Sequence, residues 1–121
     1  MKVLVIEDEP LMEALLRATF EPLGHQVVAS PSGDAIEELL KAHDPDVVVL
    51  DIMLSGSQAD GFEVCRRIKA SPYRDTFVVM LTALDNDESR QKGREAGADA
   101  YLAKPFSPLE LLHLAESRKA F

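Results

Sequence analysis

The chain has 121 residues, 46% of them hydrophobic, which suits one domain (1–121) with one ordinary core. Its formal net charge of −8 argues against nucleic-acid binding by this chain alone. The apolar runs are too short for a membrane helix, the start turns acidic at Glu7 too soon for a secretory signal, and the lone Cys65 excludes an internal disulfide, so a cytoplasmic location is expected.

Strand-like and helix-like stretches alternate along the whole chain. Val3-Leu4-Val5-Ile6 reads as a strand buried on both faces, as in a parallel sheet. Pro10 suits a first helical position, Leu11, Ala14, Leu15 and Ala18 recur at helical spacing, and Gly24 ends that segment. A weaker strand follows at 26–29, with turn chemistry from Ser30 to Gly33. Ile36, Leu39 and Leu40 give a second helix its apolar face, and Pro45 follows its end. Asp46 to Leu50 is the third strand. After a loop of small and polar residues, a third helix over about 61–70 carries Phe62, Val64, Cys65 and Ile68, with Cys65 expected in the core. The fourth strand is expected at 77–81. A polar helix over 86–96 comes next, closed by Gly97. The fifth strand is 100–103. Ser107-Pro108-Leu109-Glu110 then has the spacing of a capping box and opens a last helix with Leu109, Leu112 and Leu114. The histidines His25, His43 and His113 are expected on the surface. Five such units predict a doubly wound α/β fold, with a parallel sheet between two helical layers.

In such a sheet the carboxyl ends of the strands form the ligand crevice. Glu7 and Asp8, Asp51, Thr82 and Lys104 stand at or just beyond four of the five strand ends. A carboxylate can attack phosphorus to give an acyl phosphate, and Asp51 is the best placed nucleophile. Glu7, Asp8 and Asp51 together suit one Mg²⁺. Lys104 supplies a point charge to a phosphoryl oxygen, and Thr82 a hydrogen bond.

The chain resembles the receiver domain of two-component response regulators. Val-Leu-Val-Ile-Glu-Asp-Glu-Pro at 3–10 is similar to that family's acidic-pair segment, and Val-Val-Val-Leu-Asp-Ile-Met-Leu at 47–54 to its phosphoacceptor segment. Leu-Thr-Ala at 81–83 and Gly-Ala-Asp-Ala-Tyr-Leu-Ala-Lys-Pro-Phe at 97–106 match its remaining motifs. The resemblance implies a flavodoxin-like sheet of order 2-1-3-4-5 and a cis Lys104–Pro105 bond. It implies phosphorylation of Asp51, and Glu7, Asp8, Asp51 and the Met53 backbone carbonyl as Mg²⁺ ligands. Thr82 and Tyr101 become the switch pair and Lys104 the site lysine. The partners implied are a sensor histidine kinase or phosphotransfer protein and a downstream effector. Met53 and Leu84 occupy the positions that flank the hydrolytic water in the family, which predicts slow self-dephosphorylation.

One segment departs from the family pattern. Ser55 stands where a proline is usual, and the loop to Gly61 is longer than usual. Asp60 in that loop reads as a helix cap. Three other readings compete. A haloacid dehalogenase-type phosphatase needs an acid two residues after its nucleophile, where this chain has Met53. A flavodoxin-like carrier needs a phosphate loop where Glu7-Asp8-Glu9 stands. A degenerate receiver would lack some key position, and all are filled. The expected role is therefore a phosphoacceptor signalling domain and not an enzyme acting on a separate substrate.

Overall fold

The computed structural model describes residues 1–52, 60–83 and 86–118. The strands are β1 (Lys2–Ile6), β2 (Gln26–Ser30), β3 (Val47–Asp51), β4 (Phe77–Thr82) and β5 (Ala100–Ala103). The helices are α1 (Pro10–Phe20), α2 (Ile36–His43), α3 (Gly61–Lys69), α4 (Asp87–Ala96) and α5 (Pro108–Ser117). A short 3₁₀ turn, Glu21–Leu23, extends α1 to Gly24, which takes a left-handed φ of 87°. All strands pair in parallel in the order β2-β1-β3-β4-β5. The expected fold class therefore holds, and strand boundaries fall within about one residue of the sequence reading, the usual slack at element ends.

The unbroken apolar strands are explained by helices on both sides. Leu4, Ile6, Val48, Leu50, Val78 and Met80 pack with Ile36, Leu40, Val64, Cys65 and Ile68 from α2 and α3. Val3, Val5, Val47, Val49, Val79 and Leu81 pack with Leu16, Phe20, Leu111 and Ala115 from α1 and α5. Cys65 is buried in the first of these clusters, and burial pushes its thiol up to about 12. Caps set the helix starts. The Asp60 carboxylate accepts from the Glu63 N–H at 2.9 Å, Asn86 from Ser89, and Ser107 from Glu110.

Two helices turn faces to the core that the sequence reading did not single out. On α1, Leu16 and Phe20 are fully buried, while Leu11 is 79% and Leu15 39% exposed and Ala14 and Ala18 are exposed too. On α5, Leu111 and Ala115 are buried, the expected Leu112 and Leu114 pack partly against the same cluster, and Leu109 is 76% exposed. Both helices carry apolar residues around much of their circumference, so spacing alone cannot choose the inward stripe; contact with the sheet does. His25 is half-buried and not on the open surface, with Nε2 2.9 Å from Glu116.

The face assignment on α5 is testable. Leu111→Ala should cost about 2–5 kcal/mol of unfolding free energy through lost contact and a residual cavity. Leu109→Ala should stay within about 0.5 kcal/mol of wild type. Urea unfolding of the two variants measures both, and equal losses would contradict the assignment.

Candidate phosphoryl and metal site

The strand order places the crevice. From β1 the chain moves outward to β2, then crosses back to β3 and continues the other way to β4 and β5. Beyond the ends of β1 and β3 the connections diverge and leave a gap, the switch point of an open α/β sheet. Glu7 follows β1 directly, its N–H still bonded to the Ser30 carbonyl at 3.0 Å. Asp51 is the last residue of β3, paired with Leu81. Lys104 follows β5, and its N–H donates to the Thr82 carbonyl. A pocket of about 450 Å³ opens here, lined by Glu7, Asp8, Glu9, Pro10, Asp51, Ala83 and Lys104.

Glu7, Asp8 and Asp51 each offer a carboxylate oxygen within 4.8 Å of the others. Glu7 and Asp51 are buried, and Asp8 is half-exposed. Lys104 Nζ lies 2.9 Å from Asp51 Oδ2 and 3.7 Å from Glu7 Oε2. Burial pulls that ammonium down, but the hydrogen bond and charge of Asp51, with Glu7 and Glu9 behind it, hold it above the usual lysine value. One ammonium does not neutralise three acids. Burial first, and then the charge of Asp51, push Glu7 up from 4.5 to about 7, against the Glu9 N–H and Lys104. Glu9 N–H donates to Glu7 Oε1 at 3.1 Å, while buried Oε2 has no hydrogen-bond partner. A buried acceptor left in this way is costly, and a cation on the open side would satisfy it.

Thr82 and Tyr101 stand apart from the pocket lining. Thr82 is fully buried at the end of β4, opposite Ala103. Side-chain alternation puts Thr82 on the same face as Met80 and its partner Tyr101. Tyr101 is 5% exposed and lies beneath α4. The Lys104–Pro105 peptide is cis. Met53, Leu84 and the 55–59 part of the long loop lie outside the described residues.

The sequence reading missed two constraints. Gly61 admits no side chain, since a Cβ there would lie 2.6 Å from the Asp51 carbonyl oxygen and 2.6 Å from Ile52 Cα. The start of α3 is thereby held against the backbone that carries Asp51. Its only signal was a glycine after a capping aspartate. Glu9 and Pro10 also line the pocket, which their position after the acidic pair could have suggested.

This arrangement defines a doubly wound α/β domain with an acidic, lysine-braced pocket at its switch point. The chain belongs to the response regulator receiver domain family, whose model matches residues 3–116. It is 40% identical over 110 residues to a "Probable transcriptional regulator ycf27" of Guillardia theta, covering 91% of this chain and 42% of that protein. It is 39% identical over 112 residues to the phosphate regulon transcriptional regulatory protein PhoB of Rhizobium meliloti (strain 1021), covering 92% of this chain and 48% of the relative. The chain thus spans less than half the length of these relatives. Among solved structures, the BeF3-activated receiver domain of Klebsiella pneumoniae RstA superposes with a TM-score of 0.87 at 34% identity, covering 97% of both chains. Thermotoga maritima DrrB, an OmpR/PhoB homolog, gives 0.83 at 37% identity, covering 98% of this chain and 54% of that one. Receiver domains bind Mg²⁺ at an acidic pocket, and the all-oxygen donor set with its orphaned Glu7 oxygen fits such an ion.

Two measurements follow from the charge balance. An unfolded Glu7 titrates near 4.5, so between there and about 7 the folded protein keeps a proton that the unfolded chain releases. The contribution of this group to stability is therefore full below that window, falls as pH rises through it and levels off above. Glu7→Gln should flatten the slope in urea midpoints taken without divalent ions. At neutral pH, Mg²⁺ should raise the melting temperature by ligand linkage, worth about 2.7 kcal/mol at a hundredfold excess over Kd. A melting temperature indifferent to Mg²⁺ would argue against the site.

Proposed function

We propose that this domain accepts a phosphoryl group from a histidine kinase or phosphotransfer protein onto Asp51, and that the acyl phosphate changes the surface it offers to a downstream effector. The observation that carries the reading is the Asp51 carboxylate at the pocket floor, braced by Lys104 at 2.9 Å and flanked by Glu7 and Asp8. An Asp51 oxygen attacks phosphorus, the P–O bond forms as the phosphorus–nitrogen bond of the phosphohistidine breaks, and the electron pair returns to the imidazole. Glu7, Asp8, Asp51 and the Met53 carbonyl would hold Mg²⁺, which would supply charge neutralisation for the phosphoryl oxygens. Lys104 then exchanges part of its contact with Asp51 for a phosphoryl oxygen. Ala83, being small and exposed at the pocket wall, leaves that oxygen room.

Thr82 is the nearest hydroxyl that ends a neighbouring strand, and it shares a sheet face with Tyr101. A phosphoryl oxygen at Asp51 draws the Thr82 hydroxyl toward it, and the Tyr101 ring takes up the space. The helix above the ring, α4, buries only Ser89, Gly93 and Ala96, so its packing is thin and its position cheap to change.

The exposed stripe on α1 supports the kinase half of the reading. Leu11, Ala14, Leu15 and Ala18 form an unburied apolar face on a helix whose first residue, Pro10, lines the pocket. A partner helix laid along that stripe would bring a phosphohistidine to the pocket mouth. Exposed leucines at i and i+4 are anchors for such a helix.

Acetyl phosphate with Mg²⁺ should add one phosphoryl group to the intact mass, and Asp51→Asn should abolish the addition; undiminished labelling of the Asn variant would sink the acceptor assignment. Leu11→Asp should leave acetyl phosphate labelling and stability unchanged while slowing transfer from a phosphorylated cognate kinase by about tenfold, the loss of one interface anchor. Equal transfer rates would remove α1 from the docking surface.

A further inference from the structure

We infer that Arg90 is a positioning residue that latches Tyr101 in its inward seat, so that α4 and the ring move as one unit; the consequence for signalling rests on the phosphorylation reading above. The Arg90 guanidinium carbon lies 4.9 Å from the centroid of the Tyr101 ring, within cation–π range. One turn along the same helix, Gly93 lets α4 close down onto the ring. A Cβ at Gly93 would stand 3.1 Å from Tyr101 Cδ2 and 3.4 Å from Cε2, with Met80 Sδ at 3.6 Å. Arg90 and Gly93 are three residues apart on α4, so they address the ring from one helix face.

The composition of α4 makes this contact matter. Its buried residues are Ser89, Gly93 and Ala96, none of them large. The helix brings no bulky apolar side chain of its own to the core; it lies along α3 on one side and rests on the ring of Tyr101, with Met80 beside it, on the other. Where the ring sits therefore sets how closely α4 approaches β5. A planar guanidinium stacks on an aromatic face better than an ammonium does, which fits arginine at this position. The rest of the α4 surface is polar: Asp87, Glu88, Gln91, Lys92, Arg94 and Glu95 are all exposed. A shift of the ring would re-aim this charged face and bury or expose little apolar area.

The chain has two tyrosines and no tryptophan, so a Tyr73→Phe background leaves Tyr101 as the sole emitter. In that background, without any phosphodonor, acrylamide quenching of tyrosine emission reports the exposure of the ring. Arg90→Met keeps the aliphatic stem but loses the cation, and should raise the quenching constant roughly twofold or more, with Arg90→Lys falling between. Gly93→Ala keeps Arg90 but crowds the seat, and should raise it too. Quenching by Arg90→Met equal to that of the parent, with the far-UV spectrum unchanged, overturns the latch. A second arm adds acetyl phosphate and Mg²⁺ and follows amide hydrogen exchange in α4. Exchange that responds in the parent and not in Arg90→Met supports coupling through the latch, and an equal response in both overturns it. A parent whose ring and α4 ignore phosphorylation overturns the switch role of Tyr101, while the quenching comparison still decides the latch.

Discussion

Helices against both faces leave the central strands β1, β3 and β4 almost no wet surface, and that constraint organises the rest of the molecule. Every interior strand position must be apolar, and from Val47 to Leu50 and Phe77 to Leu81 they all are. Polar groups can stand only where the strands end. At the carboxyl edge the diverging connections from β1 and β3 keep those ends from being covered. The acids are therefore gathered by the same topology that excludes them from everywhere else in the sheet.

That gathering is costly. Three carboxylates converge within 4.8 Å with Lys104 as their near counter-charge, and the buried Oε2 of Glu7 has no hydrogen-bond partner. The imbalance is electrostatic, and Gly61 lets the start of α3 lie close against the backbone of Asp51. In the proposed function such a site, once it holds a cation, accepts an anionic phosphoryl group. A closely packed strand edge and an incomplete charge balance are the combination that the proposed phosphoryl chemistry needs.

The two helical layers differ in how they are fastened. On one side, α1 and α5 bury Leu16, Phe20, Leu111 and Ala115 fully, and α1 leaves a second apolar stripe to solvent. On the other side, α3 is anchored by Val64, Cys65 and Ile68, while α4 rests on small residues and a tyrosine from the neighbouring strand. Lys69 adds a fixed point below α4, bonding the carbonyls of Arg74 and Thr76 and the Asp99 carboxylate, which in turn accepts from the Val78 N–H. One end of the α4–β5 unit is thus pinned, and freedom is left toward the site. In the proposed function a firmly seated α1 receives the partner and a loosely seated α4 reports the result.

The fold class was legible in the amino-acid sequence, as was the strand order through family resemblance and the meeting of Glu7, Asp8, Asp51 and Lys104 at one edge. The reason is that buried parallel strands announce themselves as short apolar runs, and the residues ending those runs must share an edge. Caps such as Asp60 and Ser107 were legible for a similar reason, since the bond they make spans only three residues. Tertiary structure alone decided which face of α1 and α5 turns inward, because both helices carry more apolar residues than one stripe holds. It also decided that Thr82 and Tyr101 share a face away from the pocket, that Gly61 touches the backbone of Asp51, and that Arg90 stands over Tyr101. Those contacts join residues from different elements, and their distances are set by how closely the layers approach, a quantity that spacing along one chain segment does not contain.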